Sequence, residues 1–160
     1  MLIRPATEAD RGAIWTIIGP VIAEGETYAL DRDMGRDAAL AYWIGGDHEA
    51  FVAEEAGRAV GSYFIRPNQA GGGRHVCNCG YVTAADAVGR GVARQMHVHS
   101  LDIAKARGYR AMQFNFVIAS NERAVRLWQS LGFEVVGRLP LAFQSPSRGL
   151  VDALVMYRAL

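Results

Sequence analysis

The sequence predicts an α/β chain in which helices cover a mixed β-sheet, and three observations support this fold class. Helical and strand-like segments alternate in the order β α α β β β α β α β β, which is typical of a mixed sheet packed against helices. Hydrophobic residues make up 51% and charged residues 21% of the chain, a balance typical of globular proteins. The 160 residues contain no repeat, low-complexity tract or linker, so we expect a single domain over residues 1–160.

The first half of the chain is predicted to hold one strand, two helices and two further strands. Residues 2–5 (LIRP) form the short first strand. Aliphatic residues then recur at helical spacing, which predicts a helix with one buried face: Ile14, Ile17, Ile18, Val21 and Ile22. Pro20 is expected to kink or end that helix. A helix and two strands follow: 35–44, 50–55 and 59–66.

The second half is predicted to alternate strands and helices. Its elements are strand, helix, strand, helix, strand and strand, in this order: 75–83, 89–107, 111–117, the segment after Asn121, 133–139 and 150–157. Gly108 is expected to end the long helix, and Asn121 is expected to cap the next one. Breaker residues predict connecting loops at 24–31, 67–74 and 140–149.

Charge and cysteine content exclude several classes of partner and site. The 17 basic and 16 acidic residues give a net charge of +1, which offers no basic surface for nucleic acid. No apolar run reaches the roughly 18 residues of a membrane span, and the N-terminus lacks the apolar core of a signal peptide. Cys77 and Cys79 are poorly spaced to bond each other on one strand. We interpret them as small buried side chains, predict no metal site, and expect a cytoplasmic location.

The stretch VGRGVAR at residues 88–94 places two glycines where a helix is about to begin. Glycine costs a helix roughly 1 kcal/mol relative to alanine, so Gly89 and Gly91 indicate a local function. The first N–H groups of a helix bind anions, and Arg90 and Arg94 would add positive charge. The dinucleotide pattern G-x-G-x-x-G and the P-loop ending G-K-[ST] are both absent. The alternative is a tight turn with two solvated arginines.

A second motif, NERAVRLWQSLGF at residues 121–133, favours the anion-binding interpretation of the turn at 88–94. With the turn and helix upstream, it resembles the GCN5-related N-acetyltransferase (GNAT) superfamily. The family's motifs read [QR]-x-x-G-x-[GA] and N-x-x-A-x-x-L-[YF]-x-x-x-G-F. The corresponding positions in this sequence are Val88, Gly91, Ala93, Asn121, Ala124, Leu127, Trp128, Gly132 and Phe133. The stretch FNFVIASNERAVRLWQSLGFEVVGRLP, together with HVCNCGYV and GETYAL upstream, also resembles the proline-analogue (azetidine-2-carboxylate) acetyltransferase branch.

The resemblance implies a GNAT fold, which is a mixed, mostly antiparallel sheet with two splayed central parallel strands. Those strands are 75–83 and 111–117, and the pantetheine arm of acetyl-CoA is expected to insert between them. N–H groups near Tyr81, Val82 and Thr83 are expected to polarise the acetyl oxygen. The other implied acetyl-CoA-binding residues are Gly89, Arg90, Gly91, Val92, Ala93, Arg94 and Asn121.

Two positions depart from the family pattern. Val88 stands where the family has arginine or glutamine, and the arginines of the turn are expected to compensate. Trp128 stands where many members have a tyrosine that protonates the leaving thiolate. An indole N–H is not a practical acid, so Trp128 is expected to pack against the core or the pantetheine arm. No role is predicted for His97 or His99.

Asn78 and Asn115 are the candidate catalytic and acceptor-binding residues. Asparagine is depleted in strands and is costly to bury without partners, and both residues lie on the two splayed strands. They are expected to bind an acceptor carboxylate or hold a catalytic water, and the alternative is that each satisfies a nearby carbonyl. Gly80 predicts close approach to the backbone. By resemblance, Glu26 and Tyr28 border the acceptor pocket, although a solvated loop carboxylate is the commoner role for a residue such as Glu26.

The predicted function is acetyl transfer from acetyl-CoA to the amine of a small molecule, an amino acid or analogue. The amine would attack the thioester directly, and residues 1–160 would form one N-acetyltransferase domain. Two alternatives stay open. The missing tyrosine at Trp128 allows an acyl-CoA-binding sensor without transferase activity. The second alternative is acetylation of a protein N-terminus or lysine, which would require an open groove and not the long covering loops expected at 24–31 and 140–149. The resemblance also allows a homodimer.

Overall fold

The computed structural model describes residues 1–160 and shows one seven-stranded sheet with helices on both faces. The strands are β1 (Leu2–Pro5), β2 (Glu49–Glu55), β3 (Arg58–Pro67), β4 (Val76–Thr83), β5 (Ala111–Ile118), β6 (Glu134–Ser145) and β7 (Gly149–Ala159). The helices are α1 (Arg11–Glu24), α2 (Arg36–Ile44), α3 (Val92–Ala106) and α4 (Glu122–Ser130). This order of elements confirms the predicted fold class.

The strands lie side by side in the order β1-β2-β3-β4-β5-β7-β6. Every neighbouring pair is antiparallel except β4 and β5, which run parallel at the centre of the sheet. This arrangement is the mostly antiparallel sheet with a central parallel pair that the resemblance implied.

Each face of the sheet carries its own hydrophobic core. Ile18 of α1 and Trp43 of α2 belong to one core, and Met96 of α3 and Trp128 of α4 belong to the other. Side chains alternate between the two faces along a strand. In β4, Cys77 and Cys79 therefore lie buried in the α3–α4 core, with free thiols as predicted. Asn78 and Gly80 point to the α1–α2 side.

Helix α1 continues past Pro20, so the expectation that this residue ends the helix is wrong. The helix ends at Gly25, whose φ of 72° is left-handed and whose N–H donates to the Val21 carbonyl at 3.3 Å. The isoleucines of α1 are buried on both sides of Pro20, and this packing outweighs the lost backbone hydrogen bond. None of the helices combines the length and the hydrophobicity that a membrane-spanning helix requires.

Two boundaries near the site differ from the prediction. The long helix begins at Val92 and not at residue 89, because Gly89 and Gly91 have φ of +90° and +81°. The predicted loop at 140–149 belongs largely to β6, which reaches Ser145 and pairs with β7. The register shifts between Leu139 and Phe143, so the proline in between needs no ladder hydrogen bond.

Candidate active site

Strands β4 and β5 pair only at their first residues and then diverge. Their parallel register contains two residue pairs. On the other edge of β5, the register with β7 shifts between Phe114 and Val117, an irregularity of the kind that bends a strand. The two strands open into a cleft of about 1510 Å³. The splay expected for the segments 75–83 and 111–117 is therefore present.

Alternate backbone groups of β4 face this cleft. The Ala84 N–H donates to the Val60 carbonyl of β3 at 2.9 Å, whereas the His75 carbonyl accepts from the N–H of Arg110, just before β5, at 2.8 Å. Because backbone groups alternate sides along a strand, the odd-numbered residues of β4 face the gap. Tyr81 and Thr83 therefore direct their N–H groups into the cleft. The Val82 N–H faces β3, which corrects its expected role as a donor to the acetyl oxygen.

The turn before α3 is shaped to receive an anion. Gly91 is the N-cap residue of the helix, and a β-carbon placed on it would meet no atom within 4 Å. The first N–H groups of a helix have no partner within the helix, and here they belong to Val92, Ala93 and Arg94. Gly89, Gly91 and these three residues all line the cleft. An anion can therefore reach backbone donors without meeting a side chain at Gly91.

The arginines around the turn have different surroundings. Arg90 forms an ion pair with Glu55 and does not line the cleft, so its side chain does not take the expected position. Arg94 does line the cleft, and its Nη2 donates to Ser130 Oγ at 3.1 Å. Arg123, which was not among the residues predicted from the sequence, also lines the cleft. Its Nη2 lies 3.7 Å from where a β-carbon on Gly89 would stand, so it adds positive charge beside the turn.

Asn121 caps α4 as predicted. Its Oδ1 accepts from the Ala124 N–H at 3.1 Å, and the residue lines the cleft. The cap fixes the start of the helix and so the place of Arg123 in its first turn. Arg123 lies two residues after Asn121 in the sequence, and this spacing is the signal that could have identified it.

Asn78 and Asn115 come together through Gln113 at the closed end of the cleft. Asn78 Nδ2 donates to the Gln113 carbonyl at 3.0 Å and so bridges the diverging strands. Asn115 Nδ2 donates to Asn68 Oδ1 at 2.7 Å, and its Oδ1 accepts from Gln113 Nε2 at 2.9 Å. Both asparagines line the cleft. Each amide nitrogen already donates to a protein atom, whereas Asn78 Oδ1 accepts no hydrogen bond from the chain.

Of the two residues expected to border the acceptor pocket, Tyr28 lines the cleft and Glu26 does not. The Glu26 carboxylate accepts from Ser145 Oγ at 2.6 Å and from the Ser147 N–H at 2.8 Å. These hydrogen bonds hold its pKa below the ordinary value, and Glu26 does not line the cleft. It tethers the β6–β7 hairpin instead. Tyr28 does line the cleft, and its hydroxyl donates to the Tyr81 carbonyl at 3.0 Å.

Gly80 makes room for the protein's own aromatic side chains. A β-carbon at this position would lie 2.6 Å from Phe64 Cε1 and 3.2 Å from Tyr28 Oη. The close approach expected at Gly80 is therefore made by these side chains. The Phe64 ring stacks on His48 at a centroid distance of 4.1 Å and lies edge-on to Tyr42. The result is an aromatic wall on the α1–α2 side of the cleft.

A buried polar cluster supports β4 from the opposite face. The His97 Nδ1 lies 3.3 Å from Tyr81 Oη, and its Nε2 lies 3.4 Å from Arg158 Nη1. Burial, helped by Arg158 and Arg94, lowers the pKa of His97 to about 4, so the ring is neutral at pH 7. Ser100 Oγ lies 2.7 Å from the same tyrosine hydroxyl. His97 thus helps to position the Tyr81 side chain, a role that the sequence analysis did not predict.

Residues 20–133 match the model of the acetyltransferase (GNAT) family. The chain belongs to the GNAT family. N-acetyltransferase aca1 of Schizosaccharomyces pombe is 27% identical over 151 residues, which cover 84% of this chain and 72% of that protein. A GCN5-related N-acetyltransferase from Kribbella flavida is 40% identical and superposes with a TM-score of 0.94, over 99% of this chain and 97% of that one.

A third similar protein carries the cofactor. YncA, a putative acetyltransferase from Salmonella typhimurium solved with acetyl-CoA, is 25% identical with a TM-score of 0.86, over 100% of this chain and 94% of that one. The present GNAT protein is an acetyl-CoA-dependent N-acetyltransferase, as predicted. Its cleft fits the donor in two respects: free N–H groups on one edge of β4, and open space over Gly91.

Trp128 packs in this GNAT enzyme as predicted from its departure from the family pattern. The side chain is 9% exposed. Its ring lies 5.2 Å from that of Tyr81 and 4.9 Å from that of Phe114 between centroids, and it lines the cleft. Trp128 therefore joins the α3–α4 core to the wall of the cofactor cleft.

Proposed function

We propose that this GNAT enzyme acetylates the amine of a small molecule, an amino acid or analogue, and that residues 1–160 act as one N-acetyltransferase domain. The wall of the acceptor end carries this proposal. Tyr28, Tyr42, Phe64 and Phe116 line it, and the tether from Glu26 holds the β6–β7 hairpin against the loop that carries Tyr28. Such a wall suits a compact acceptor better than an extended peptide.

Backbone donors of β4 support direct attack by the amine. Acetyl-CoA supplies the activated acetyl thioester. The N–H groups of Tyr81 and Thr83 face the cleft and can stabilise the negative charge that develops on the acetyl oxygen. One preorganised donor of this kind contributes about 10²–10³-fold in rate.

Asn78 supports the orientation of the acceptor. Its Oδ1 is available to accept a hydrogen bond, and its Nδ2 is fixed by the Gln113 carbonyl, so the oxygen has a defined direction. An amine N–H is the matching donor. Asn115 is proposed to act indirectly, because its hydrogen bonds position the side chains of Gln113 and Asn68. The amine loses its proton to water through the open mouth of the cleft.

The cofactor's phosphates are proposed to bind at the other end of β4. Gly89 and Gly91 leave room, the N–H groups of residues 92–94 donate, and Arg94 and Arg123 add charge. Asn121 is proposed to contact the cofactor as well as cap α4, since it lines the same cleft as the turn.

Release of free CoA thiol, measured with a panel of acceptors, tests the proposed function. We expect turnover with one or more L-amino acids or cyclic amino-acid analogues, and little with peptides that carry a free N-terminus or a lysine. Faster turnover with peptides would favour a protein acceptor. Acetyl-CoA binding without thiol release for any amine would favour the sensor alternative.

Strand β6 supports a homodimer. It is an edge strand of the sheet, and it exposes Val136 at 57% and Leu141 at 58%, while Leu150 on β7 is 56% exposed. An exposed apolar edge strand is normally covered by another element or chain, or protected from pairing by charged residues, proline or a β-bulge. We expect a dimer by light scattering, and Val136→Glu should shift it towards monomer. A wild-type protein that is monomeric at assay concentration would remove this proposal.

A further inference from the structure

Arg66 is a cation in the acceptor end of the cleft that has no partner in the chain. It lies at the end of β3, is half-buried, and lines the cleft. No ion pair of the structure involves it. Its Nε is buried and makes no hydrogen bond. Buried donors normally have partners, so this side chain indicates a ligand.

The neighbours of Arg66 do not neutralise it. Tyr42 and His48 lie close enough to feel its charge, and burial together with that charge lowers the pKa of His48. Asp47 borders the same small side cavity as Arg66, but its carboxylate forms no ion pair with Arg66 within 4.0 Å; its contact at that distance is with His48. The acceptor end of the cleft therefore holds an uncompensated positive charge.

Arg66 and Asn78 are cross-strand partners in the β3–β4 register. Their β-carbons are therefore about 4.5–5.5 Å apart and on the same face of the sheet. One residue offers a guanidinium and the other a free carbonyl oxygen, so the pair can bind an anion and an amine on one small molecule. The asparagine amide nitrogens already donate to Gln113 and Asn68, which leaves Arg66 as the charged donor of this region.

The geometry points to Arg66 as the residue that binds the acceptor's carboxylate and selects an amine with an adjacent carboxylate. This inference rests on the proposed acetyl transfer to a small amine. The charge also lies far from the cofactor's phosphates, because Asn78 and Thr83 are separated by about 17 Å of strand, at roughly 3.3 Å per residue. In this proposal the turn before α3 binds the phosphates of the cofactor, and Arg66 binds the carboxylate of the acceptor.

The test compares L-amino acids with their primary amides, in wild type, Arg66→Met and Arg74→Met. Methionine keeps a long apolar stem and removes the charge. Arg74 is the matched control, since it borders the same small cavity but is exposed and does not line the main cleft. The measured quantity is kcat/KM for each acid divided by that for its amide, and intrinsic differences in amine basicity cancel between variants.

We expect Arg66→Met to lower this ratio at least about 10-fold, the effect of losing one charge-assisted hydrogen bond. The change should come from a higher KM for the acid, with the KM for acetyl-CoA and for the amide unchanged. Arg66→Lys should keep part of the preference, and Arg74→Met all of it. Calorimetric binding of the amino acid in the presence of CoA should weaken in parallel.

Equal loss for acid and amide in Arg66→Met would overturn the assignment and leave acetyl transfer standing. So would a wild-type enzyme that uses both acceptors equally well. Thiol release from no amine at all would instead remove the proposed function, and this inference with it.

Discussion

Replacing Gly91 with alanine tests whether the turn before α3 holds the cofactor. The φ of Gly91 is +81° and no atom lies within 4 Å of a β-carbon built there, so the added methyl group meets only the space of the cleft. An alanine in this left-handed conformation costs about 1–2 kcal/mol, which lowers Tm by about 2–8 °C in a chain of this size. Loss of one phosphate hydrogen bond, about 1.5–3 kcal/mol, should raise the Kd for CoA about 10- to 100-fold.

Gly108 at the other end of α3 provides the control. Its φ is +78° and its surroundings are equally empty, but it lies outside the cleft. Gly108→Ala should therefore show a similar loss of Tm with an unchanged Kd for CoA. Thermal unfolding without ligand and isothermal titration calorimetry with CoA supply the two numbers. If Gly91→Ala and Gly108→Ala weaken CoA binding equally, the turn does not bind the phosphates.

Substitutions at three further residues test other parts of the site. The folded-state pKa of His97 is about 4, below the ordinary 6.5. As the pH falls, the unfolded state therefore takes up a proton first, and the free energy of unfolding drops by about 3 kcal/mol between pH 6.5 and pH 4. His97→Gln should flatten that dependence in urea unfolding, and an unchanged slope would contradict the assignment. Asn121→Ala should lower the free energy of unfolding by about 1 kcal/mol and raise the KM for acetyl-CoA. Asn121→Ser keeps a capping side chain and should restore stability but not the KM. If Asn121→Ser restores the KM as well, only the capping role of Asn121 stands. Gly80→Ala should cost about 1–3 kcal/mol through its clash with Phe64 and raise the acceptor KM, and a neutral result would mean that the ring moves freely.

The fold and the cofactor end of the site could be predicted because their signals are local. The hydrophobic spacing of α1, the glycines of the turn and the Asn121 cap are all readable within a few residues. Where local propensity competes with pairing, the prediction fails. The segment 140–145 contains a proline and reads as a loop, but pairing with β7 makes most of it strand.

The acceptor end could not be predicted because its contacts join distant residues. Glu26 is tethered to Ser145, 119 residues away, and nothing near Glu26 in the sequence indicates that partner. Arg66 is an ordinary arginine at the end of a strand until the structure shows that no carboxylate reaches it. The asparagines were found by their unusual place in strands, but which of their atoms remain free depends on Gln113 and Asn68.

The most direct measurement of the central claim follows an isotope label from the acetyl group of acetyl-CoA by NMR, in the presence of purified enzyme and an amino-acid panel. We predict that the label leaves the thioester and appears in an N-acetyl amino acid, with one free CoA thiol released per product formed. Label that stays in the thioester, or that appears only as free acetate, would contradict the proposal that this enzyme acetylates a small-molecule amine.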